Sequence, residues 1–230
     1  MSSLEFLTLH TFSFFLKFIM KLALFDLDQT LLDGDTDTLW FQYLVRKNHI
    51  ESGYLKRLDD YFNDYHQGVL DYSEYMDFIL LPLKEFELEE VQSWRNLFLH
   101  EEIRPRLRLQ HLLEEHSKQH HTQVLITATH DFLAEPIGQM LEMDFTLSTC
   151  PEVLGGRYTG KVTQFCFREG KVKMLKNFLK LNGEEADEIW FYSDSFNDLS
   201  LLEYSDHPIV VGPDKKLRKL AQQFGWSILL

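Results

Sequence analysis

The chain has 230 residues, of which 44% are hydrophobic and 26% charged, as in an ordinary globular protein with one sizeable domain or a core with a smaller insert. Its formal net charge is −13, because 36 acidic residues outnumber 23 basic ones. This excess of negative charge argues against sequence-independent binding to nucleic acid and against electrostatic binding to anionic membranes.

Residues 1–20 are apolar and aromatic, but they match neither a secretory signal nor a membrane-spanning helix. Glu5, His10 and Lys17 interrupt the apolar run, and no small-residue cleavage site follows it. Because an apolar strand begins at Leu22, an anchor here would press the carboxyl end of that strand against the bilayer. We predict a dispensable or artefactual extension without stable membrane insertion; a weak interfacial anchor is the alternative.

The rest of the chain alternates strand-length apolar runs with helical periodicity, which predicts a parallel sheet covered by helices. The predicted strands are 22–27, 123–127, a strand and hairpin within 145–167, 189–192, 209–211 and an edge strand at 226–229. The predicted helices are one that starts at 36, then 52–66, 72–80, 88–100, 107–116, 131–141, 171–181, 198–203 and a last one that opens at Pro213-Asp214.

A long helical stretch separates the first two predicted strands. Residues 36–98 have helical periodicity and no strong strand pattern. We therefore expect an α/β fold whose core is a doubly wound, Rossmann-like parallel sheet formed by residues 21–34 and 105–230. The all-helical segment inserted into this core is expected to span residues 35–104.

The chain contains two cysteines, Cys150 and Cys166, without a CxxC or Cys/His spacing. This pattern favours two unpaired core or loop residues over a disulfide framework. It also indicates a reducing, cytoplasmic location.

Polar side chains follow three of the predicted strands at the point where each strand ends. Asp26 and Asp28 follow the first strand, and Thr127 ends the second. A later strand runs into Ser193-Asp194, with Asn197-Asp198 shortly after. Because the carboxyl ends of parallel strands meet at one edge of a sheet, we expect these groups to converge.

Crowded carboxylates disfavour each other's ionisation, so a cluster of Asp26, Asp28 and Asp194 calls for a cation between its members. Oxygen ligands without His or Cys select a hard cation, and we predict Mg²⁺. A phosphoryl group suits such a site, because Thr127 and Lys171 can hold the oxygens that do not bridge to the metal. A carboxylate, Asp26, is then able to attack phosphorus, while Asp28 protonates the leaving alkoxide and later deprotonates water.

These residues resemble the motifs of the haloacid dehalogenase (HAD) superfamily of phosphatases, and within it the phosphoserine-phosphatase-like branch, subfamily IB. The segment DLDQT resembles the DxDxT motif, which implies Asp26 as the nucleophile and Asp28 as the acid/base. The segment LITAT matches the Ser/Thr motif at Thr127, followed by Ala128, and EGKVKML matches the motif lysine at Lys171. These three residues are implied to bind the substrate phosphate.

The fourth segment, SDSFNDLSLL, resembles the GDGxNDxxM motif. It implies Asp194 as a metal ligand beside Asp26 and Asp28, with Asn197 at the phosphate and Asp198 in support. The resemblance runs from Lys21 to the C-terminus, and it implies that the helical insert is a C1-type cap that closes over the substrate. The implied activity is Mg²⁺-dependent hydrolysis of a small phosphorylated metabolite through an aspartyl-phosphate intermediate.

Two positions in the insert bear on the substrate. In phosphoserine phosphatases an acid nine residues after the nucleophile receives the substrate ammonium, and Asp35 has that offset here. The same relatives carry an arginine on a cap helix that grips the substrate carboxylate, and the similar segment GVLDYSEYMD has Asp77 at that place. Since an acid repels a carboxylate, the resemblance implies an amino-alcohol phosphate such as histidinol phosphate, with phosphoserine as the alternative.

Other residues near these motifs have two interpretations each. His130 is expected either to face solvent at a helix start or to contact substrate, and His120-His121 to form a polar helix end. Aromatic residues of the insert are expected to form cap core or to face a substrate cation. These aromatic residues are Trp40, Phe41, Tyr61, Tyr65, Tyr72 and Tyr75.

Two further functions are compatible with the same residues. A phosphotransferase or mutase of the superfamily would pass the phosphoryl group to a sugar or alcohol instead of water. A receiver-like regulator also clusters Asp, Thr and Lys around Mg²⁺, but it needs neither an acid two residues after the phosphorylated Asp nor a cap. The sequence is compatible with a monomer or a homodimer.

Overall fold

The computed structural model of the protein describes residues 19–67, 69–183 and 185–230. Seven strands form one sheet in the order β4-β3-β2-β1-β5-β6-β7. The strands are β1 (Ile19–Phe25), β2 (Thr122–His130), β3 (Phe145–Leu154), β4 (Arg157–Gln164), β5 (Glu185–Ser193), β6 (His207–Val211) and β7 (Ser227–Leu229).

Helices surround the sheet and fill the interval between its first two strands. The helices are α1 (Thr36–Arg46), α2 (Gly53–Gln67), α3 (Tyr72–Ile79), α4 (Leu81–Glu85), α5 (Leu88–Phe98), α6 (Gln110–Lys118), α7 (Asp131–Met140), α8 (Glu169–Asn182), α9 (Leu199–Tyr204) and α10 (Lys215–Phe224). Within the described residues, no helix is both long enough and apolar enough to cross a bilayer.

The sheet is parallel within the described residues, except for the antiparallel β3–β4 hairpin that was predicted within 145–167. β1 lies in the middle and pairs with β2 on one side and β5 on the other. The chain first adds β2, β3 and β4 outward on one side of β1, and then returns to add β5, β6 and β7 outward on the other side. The direction in which strands are added therefore reverses between β1 and β5. This confirms the doubly wound α/β fold and locates its crevice at the carboxyl ends of β1 and β5.

β1 is apolar throughout its buried part because helices cover both faces of the sheet. Leu22 and Leu24 belong to one hydrophobic cluster, which includes side chains of α8, α9 and α10. Ala23 and Phe25 belong to a second cluster on the opposite face. The alternation of side chains along the strand therefore divides the core into two layers.

The second cluster continues from the sheet into the insert. It joins Phe25 to Trp40 of α1, Phe98 of α5 and Phe132 of α7. The described part of the chain between β1 and α6 contains helices and no β-strand, as predicted for the insert. Two of its helices begin at acidic caps, since Asp35 accepts from Thr38 N at the start of α1, and Asp71 accepts from Ser73 N and Glu74 N at the start of α3.

Several boundaries differ by a few residues from those predicted, among them the starts of β1 and α6. β1 begins at Ile19, so residues 19 and 20 pair with β5 and belong to the sheet, whereas the rest of the predicted N-terminal extension lies outside the described residues. α6 begins at Gln110 instead of residue 107, because Leu109 has a φ of 60°. That left-handed backbone cannot continue into a right-handed helix.

The histidines next to the sheet are more buried than predicted. His121 is buried, and its Nδ1 lies 2.8 Å from Nδ1 of His116, so the interpretation of a polar helix end fits only the exposed His120. Nε2 of His116 lies 2.8 Å from the Tyr192 hydroxyl. Burial lowers the pKa of His116 to about 4, and His121 adds to that effect.

His130 neither faces solvent nor lines the main cavity, so both interpretations made from the sequence are wrong. Only 1% of the residue is exposed, and neither ring nitrogen has a hydrogen-bond partner among the described residues. Burial lowers its pKa to about 3. The folded protein therefore holds this ring in its neutral form.

We expect replacement of His130 by Leu to flatten the dependence of stability on pH. The pKa is about 3 in the folded chain and 6.5 when unperturbed, so below pH 6.5 the unfolded chain takes up a proton that the folded chain does not. As the pH falls from about 6 to about 4, the free energy of unfolding of wild type should therefore decrease by about 1.4 kcal/mol per pH unit relative to that of His130→Leu.

Denaturant unfolding at several pH values measures this difference. His111→Leu is the control, because His111 is exposed on α6. Equal pH slopes for wild type and His130→Leu would show that His130 is not held neutral.

Candidate active site

The candidate residues meet at the carboxyl ends of β1 and β5. The Asp26 amide donates to the Tyr192 carbonyl at 2.9 Å, which extends the β1–β5 pairing by one residue. The Thr30 hydroxyl oxygen lies 3.4 Å from Asp26 Oδ2 and 3.3 Å from Asp194 Oδ1. The same oxygen accepts from the Asp194 amide at 3.0 Å. The strand register and Thr30 thus bring the carboxylates of Asp26 and Asp194 to the two sides of one hydroxyl.

The ammonium group of a buried lysine lies next to the Asp26 carboxylate. Lys171 Nζ donates to Asp26 Oδ1 and to Asp198 Oδ2, both at 2.7 Å, and its side chain is 2% exposed. The Ser193 hydroxyl also donates to Asp198 Oδ2 at 2.7 Å. Gly170, which precedes Lys171 in α8, allows this turn of the helix to pack against the Phe165 carbonyl. A Cβ on residue 170 would lie 2.5 Å from that carbonyl oxygen.

Asp28 is held by hydroxyl groups from two different segments. Its Oδ1 accepts from the Thr36 amide at 2.7 Å and from the Thr36 hydroxyl, at the start of α1. Its Oδ2 accepts from the Thr129 hydroxyl at 2.9 Å, at the end of β2. The carboxylate is thus oriented by the insert on one side and by the sheet on the other.

The remaining phosphate-site candidates also lie in this region. Thr127 is buried, and its hydroxyl oxygen accepts from the Thr129 amide at 3.2 Å. The Ala128 carbonyl accepts from the Tyr72 hydroxyl of α3 at 2.6 Å. Asn197 Oδ1 accepts from Arg168 Nε at 3.0 Å, and the Asn197 side chain also makes a hydrogen bond with the Tyr65 hydroxyl.

One cavity of about 960 Å³ connects these groups with the insert. Every candidate site residue from the sequence except Asp77 lines it. Those residues are Asp26, Asp28, Asp35, Thr127, Ala128, Lys171, Asp194, Asn197 and Asp198. Its volume suits a small metabolite.

Asp77 does not belong to this cavity, and the specificity role predicted for it has no support in the structure. It is exposed on α3, whereas Tyr72 and Tyr75 of the same helix line the cavity. Residues three apart share a helix face, but Asp77 follows Tyr75 by two positions, or about 200° around the axis.

The aromatic residues of the insert divide between the two predicted roles. Trp40 and Phe41 are buried in the core and do not line the cavity. Four tyrosines do line it: Tyr61, Tyr65, Tyr72 and Tyr75. Tyr72 also stacks on Phe167 of the sheet side, with ring centroids 4.3 Å apart.

The carboxyls carry raised pKa values because they are buried close to one another. Burial raises the pKa of Asp26 to about 7, although Lys171 opposes the change. Burial, with Asp35 nearby, raises the pKa of Asp28 to about 7, and burial with Asp26 and Asp198 raises that of Asp194 to about 8. Burial alone would lower the pKa of Lys171, but Asp198 and Asp26 outweigh it and raise it.

The three aspartates predicted to hold a cation, Asp26, Asp28 and Asp194, and the supporting Asp198 differ in their hydrogen bonds. Asp198 is engaged by Lys171 and Ser193, and the Asp28 side chain by Thr36 and Thr129. Within the described ranges no three carboxylate, imidazole or thiolate side chains are grouped as a metal site. Lys171 also engages Asp26, but only through Oδ1, and Asp26 Oδ2 and the Asp194 carboxylate lie on the two sides of the Thr30 hydroxyl. Two carboxylates with waters and substrate oxygens are a typical set for Mg²⁺.

The sequence analysis did not single out several residues that position the candidate groups. Thr36 and Thr129 orient Asp28, Thr30 links Asp26 to Asp194, and Arg168 holds Asn197. Thr30 and Thr129 lie within segments that had been identified as motifs, so the sequence does show that each is close to a candidate site residue. Arg168 was not recognisable, because its φ of 51° is a backbone state that sequence does not predict for arginine.

Comparison with known proteins agrees with the motifs. A sequence model of the family described as haloacid dehalogenase-like hydrolase matches residues 23–203. A curated relative named histidinol-phosphatase, from Neisseria meningitidis serogroup C (strain 8013), is 33% identical over 217 residues, which are 91% of this chain and 98% of the relative.

Solved structures share the fold over nearly the whole chain. A protein of unknown function from Bordetella pertussis Tohama I has a TM-score of 0.86 at 34% identity, covering 92% of this chain and 99% of that one. A phosphoserine phosphatase with an analogue of its phospho-aspartyl intermediate has a TM-score of 0.67 at 18% identity, over 92% and 93% of the two chains. With its family match, its relatives and its fold in agreement, the chain belongs to the haloacid dehalogenase-like hydrolases.

Proposed function

We propose that the protein is a Mg²⁺-dependent phosphomonoester hydrolase that acts on a small phosphorylated metabolite through an aspartyl-phosphate intermediate. The observation that carries this proposal is the ion pair of Asp26 with Lys171 at 2.7 Å, in a cavity that Asp28 also lines. The ammonium group favours the ionised form of Asp26, which is the form that attacks phosphorus.

The reaction divides between the two aspartates. A carboxylate oxygen of Asp26 forms a bond to phosphorus as the bond from phosphorus to the ester oxygen breaks, and Asp28 gives that oxygen its proton. Asp28, now a carboxylate, takes a proton from water, whose oxygen attacks the aspartyl phosphate and releases inorganic phosphate. The hydrogen bonds from Thr36 and Thr129 fix Asp28 for both transfers.

Four residues are proposed to hold the transferred phosphoryl group. The Thr127 hydroxyl, the backbone at Ala128, the Lys171 ammonium and the Asn197 amide line the same end of the cavity as Asp26. Donors fixed before the substrate arrives stabilise the charge that develops on the phosphoryl oxygens.

Asp26 and Asp194 are proposed to hold Mg²⁺, with Asp28 next to the ion and Asp198 supporting the site through Lys171. The raised pKa values of Asp26 and Asp194 indicate that the single charge of Lys171 does not balance the buried carboxyls, and a divalent cation would supply further positive charge. When bound, Mg²⁺ neutralises charge on the phosphoryl oxygens and orients them.

The walls of the cavity favour a substrate that carries a cation. On the insert side the described lining consists of acidic, aromatic and neutral residues, including Asp35, Asp37 and four tyrosines, without Lys or Arg. The cationic lining residues, Arg108, Arg168, Lys171 and Lys216, all belong to the sheet side. This favours an amino-alcohol phosphate, such as histidinol phosphate, for which a relative is named. A kcat/KM for phosphoserine above that for histidinol phosphate would contradict this choice.

Transfer to an alcohol or sugar uses the same first step, and product analysis with an added acceptor distinguishes it from hydrolysis. The cytoplasmic location stays a prediction, in agreement with the two free cysteines.

The substitution Asp26→Asn should abolish turnover of p-nitrophenyl phosphate, because the amide is not a nucleophile and leaves Lys171 with one carboxylate partner. Release of p-nitrophenol by wild type and variant, with Mg²⁺ at neutral pH, measures this. Glu203→Gln, an exposed change on α9, is the control and should retain wild-type turnover. Comparable rates for Asp26→Asn and wild type would contradict the proposed nucleophile.

The substitution Asp28→Asn should slow turnover by about 10²- to 10⁴-fold, because both proton transfers lose their donor and acceptor. The activated p-nitrophenolate leaving group needs little protonation, so the second step should suffer more. We therefore expect phosphorylated protein to accumulate, as measured by mass after rapid quenching. An unchanged rate of breakdown of the phosphorylated intermediate would contradict the acid/base role of Asp28.

Removal of divalent cations with EDTA should reduce turnover to background, and added Mg²⁺ should restore it. The reason is that Asp26 and Asp194 are buried together without a second positive charge beside Lys171. Turnover after dialysis against the chelator, with and without Mg²⁺, is the measurement. Full activity in the chelator would contradict the metal requirement.

A further inference from the structure

Arg168 occupies a turn position that disfavours any side chain. It is the second residue of a turn that the Gly170 amide closes by donating to the Phe167 carbonyl at 2.8 Å. Its φ of 51° and ψ of −125° are close to those of the first central residue of a type II′ turn. That position is normally glycine, because a Cβ is strained there. The turn itself therefore gives no reason for an arginine at residue 168.

The side chain of Arg168 is also unsuited to the start of a helix. Arg168 is the N-cap residue of α8, yet its side chain makes no capping hydrogen bond. A cation at this place is repelled by the positive end of the helix dipole. In the part of the chain that the structure describes, Arg168 has no ion pair that would offset this repulsion.

Packing on an aromatic ring is the purely structural explanation of Arg168. Its guanidinium carbon lies 4.9 Å from the centroid of the Phe167 ring, which in turn stacks on Tyr72 of α3. This packing explains neither the strained turn position nor the missing cap. Strained backbone of this kind is found mostly at functional sites, so we looked for a polar contact that requires the guanidinium.

That contact is with Asn197. Arg168 Nε donates to Asn197 Oδ1 at 3.0 Å, and both residues line the cavity. A guanidinium group has donors and no acceptor, so the oxygen of the carboxamide must be the atom that faces it. The nitrogen of the carboxamide is thereby turned away from Arg168.

A tyrosine of the insert contacts the same carboxamide but cannot choose its direction. The Tyr65 hydroxyl makes a hydrogen bond with the Asn197 side chain and lies 3.1 Å from Ser195 Oγ. Burial raises the pKa of Tyr65 to about 12, and the contacts with Ser195 and Asn197 oppose the rise, as expected when Asn197 donates. Because a hydroxyl can donate or accept, it is able to bond to either orientation of the carboxamide. The choice of orientation therefore falls to Arg168.

We propose that Arg168 is a positioning residue that fixes the direction of the Asn197 carboxamide, so that an N–H and not the carbonyl oxygen is presented to the phosphoryl group. This inference rests on the proposed hydrolase function. An amide nitrogen carries two hydrogens, so one remains for a phosphoryl oxygen after the other has bonded to Tyr65. A reversed carboxamide would turn lone pairs towards the anionic oxygens and would no longer stabilise the charge that develops on them.

A double-mutant cycle tests whether Arg168 acts through Asn197. With p-nitrophenyl phosphate and Mg²⁺, Asn197→Ala should lower kcat/KM by about 10²- to 10³-fold, as for the loss of one fixed donor. Arg168→Met should lower it by about 10- to 100-fold, the worth of a hydrogen bond to a charged group. In the Asn197→Ala background the same change should cost less than about twofold. Additive effects of the two changes would overturn the inference, because Arg168 would then act independently of Asn197.

Two further variants separate the hydrogen bond from the turn. Arg168→Gly suits the backbone of the turn and removes the side chain, so it should fold and lose as much activity as Arg168→Met. Lysine, like arginine, has donors only, so Arg168→Lys should retain more activity than either. The control is Arg157→Met, an exposed change on β4 outside the cavity, which should leave kcat/KM unchanged in both backgrounds. Wild-type activity in Arg168→Gly would contradict the positioning role.

A measurement without turnover separates this inference from the proposed function. In wild type, nuclear Overhauser contacts should connect the side-chain amide protons of Asn197 with the ring protons of Tyr65. In Arg168→Met these contacts should weaken, because the reversed carboxamide becomes populated. If wild type hydrolyses no phosphate ester, weakened contacts still support the role of Arg168, and unchanged contacts refute it.

Discussion

The ammonium group of Lys171 is the point on which the site depends. It contacts Asp26 and Asp198 at 2.7 Å each, and so fastens α8 to the segments that follow β1 and β5. All three charges are removed from water, and loss of any one would leave an uncompensated buried charge. One cation against two carboxylates still leaves negative charge at the site, before Asp194 and Asp28 are counted. This excess of negative charge is the physical reason why the arrangement suits a divalent cation.

In the proposed mechanism, chemistry and substrate recognition come from different parts of the chain. The ends of β1, β2 and β5, with α8, supply the groups that handle phosphate, and they carry the positive charge of the cavity. The insert supplies carboxyls and tyrosines. Asp28 belongs to both parts, because Thr36 of the insert and Thr129 of the sheet hold its two oxygens. Substitutions in an inserted domain of this kind can change the substrate specificity of the protein without disturbing the reacting groups.

The sequence predicted those features that depend on local pattern. Apolar runs that end in Asp26, Thr127 and Asp194 specify both the parallel sheet and the edge at which its polar groups meet. It did not predict Thr36 or Thr129 as partners of Asp28, because hydrogen bonds between distant segments leave no local periodicity. Asp77 was misplaced because it was aligned by motif, whereas a side chain's direction on a helix is decided by its rotation about the axis. The burial of His130 was missed because a helix start is usually exposed.

The way the insert is attached limits how the cavity can open. Side chains of α1 and α5 are part of the same apolar cluster as the face of the sheet, so moving them would expose hydrophobic surface to water. Leu58 of α2 and Phe78 of α3 belong to that cluster as well, and Tyr72 of α3 stacks on Phe167. The hydroxyls of Tyr65 and Tyr72 also contact the Ser195 hydroxyl and the Ala128 carbonyl. Swinging the whole insert away from the sheet would therefore break apolar contacts as well as hydrogen bonds.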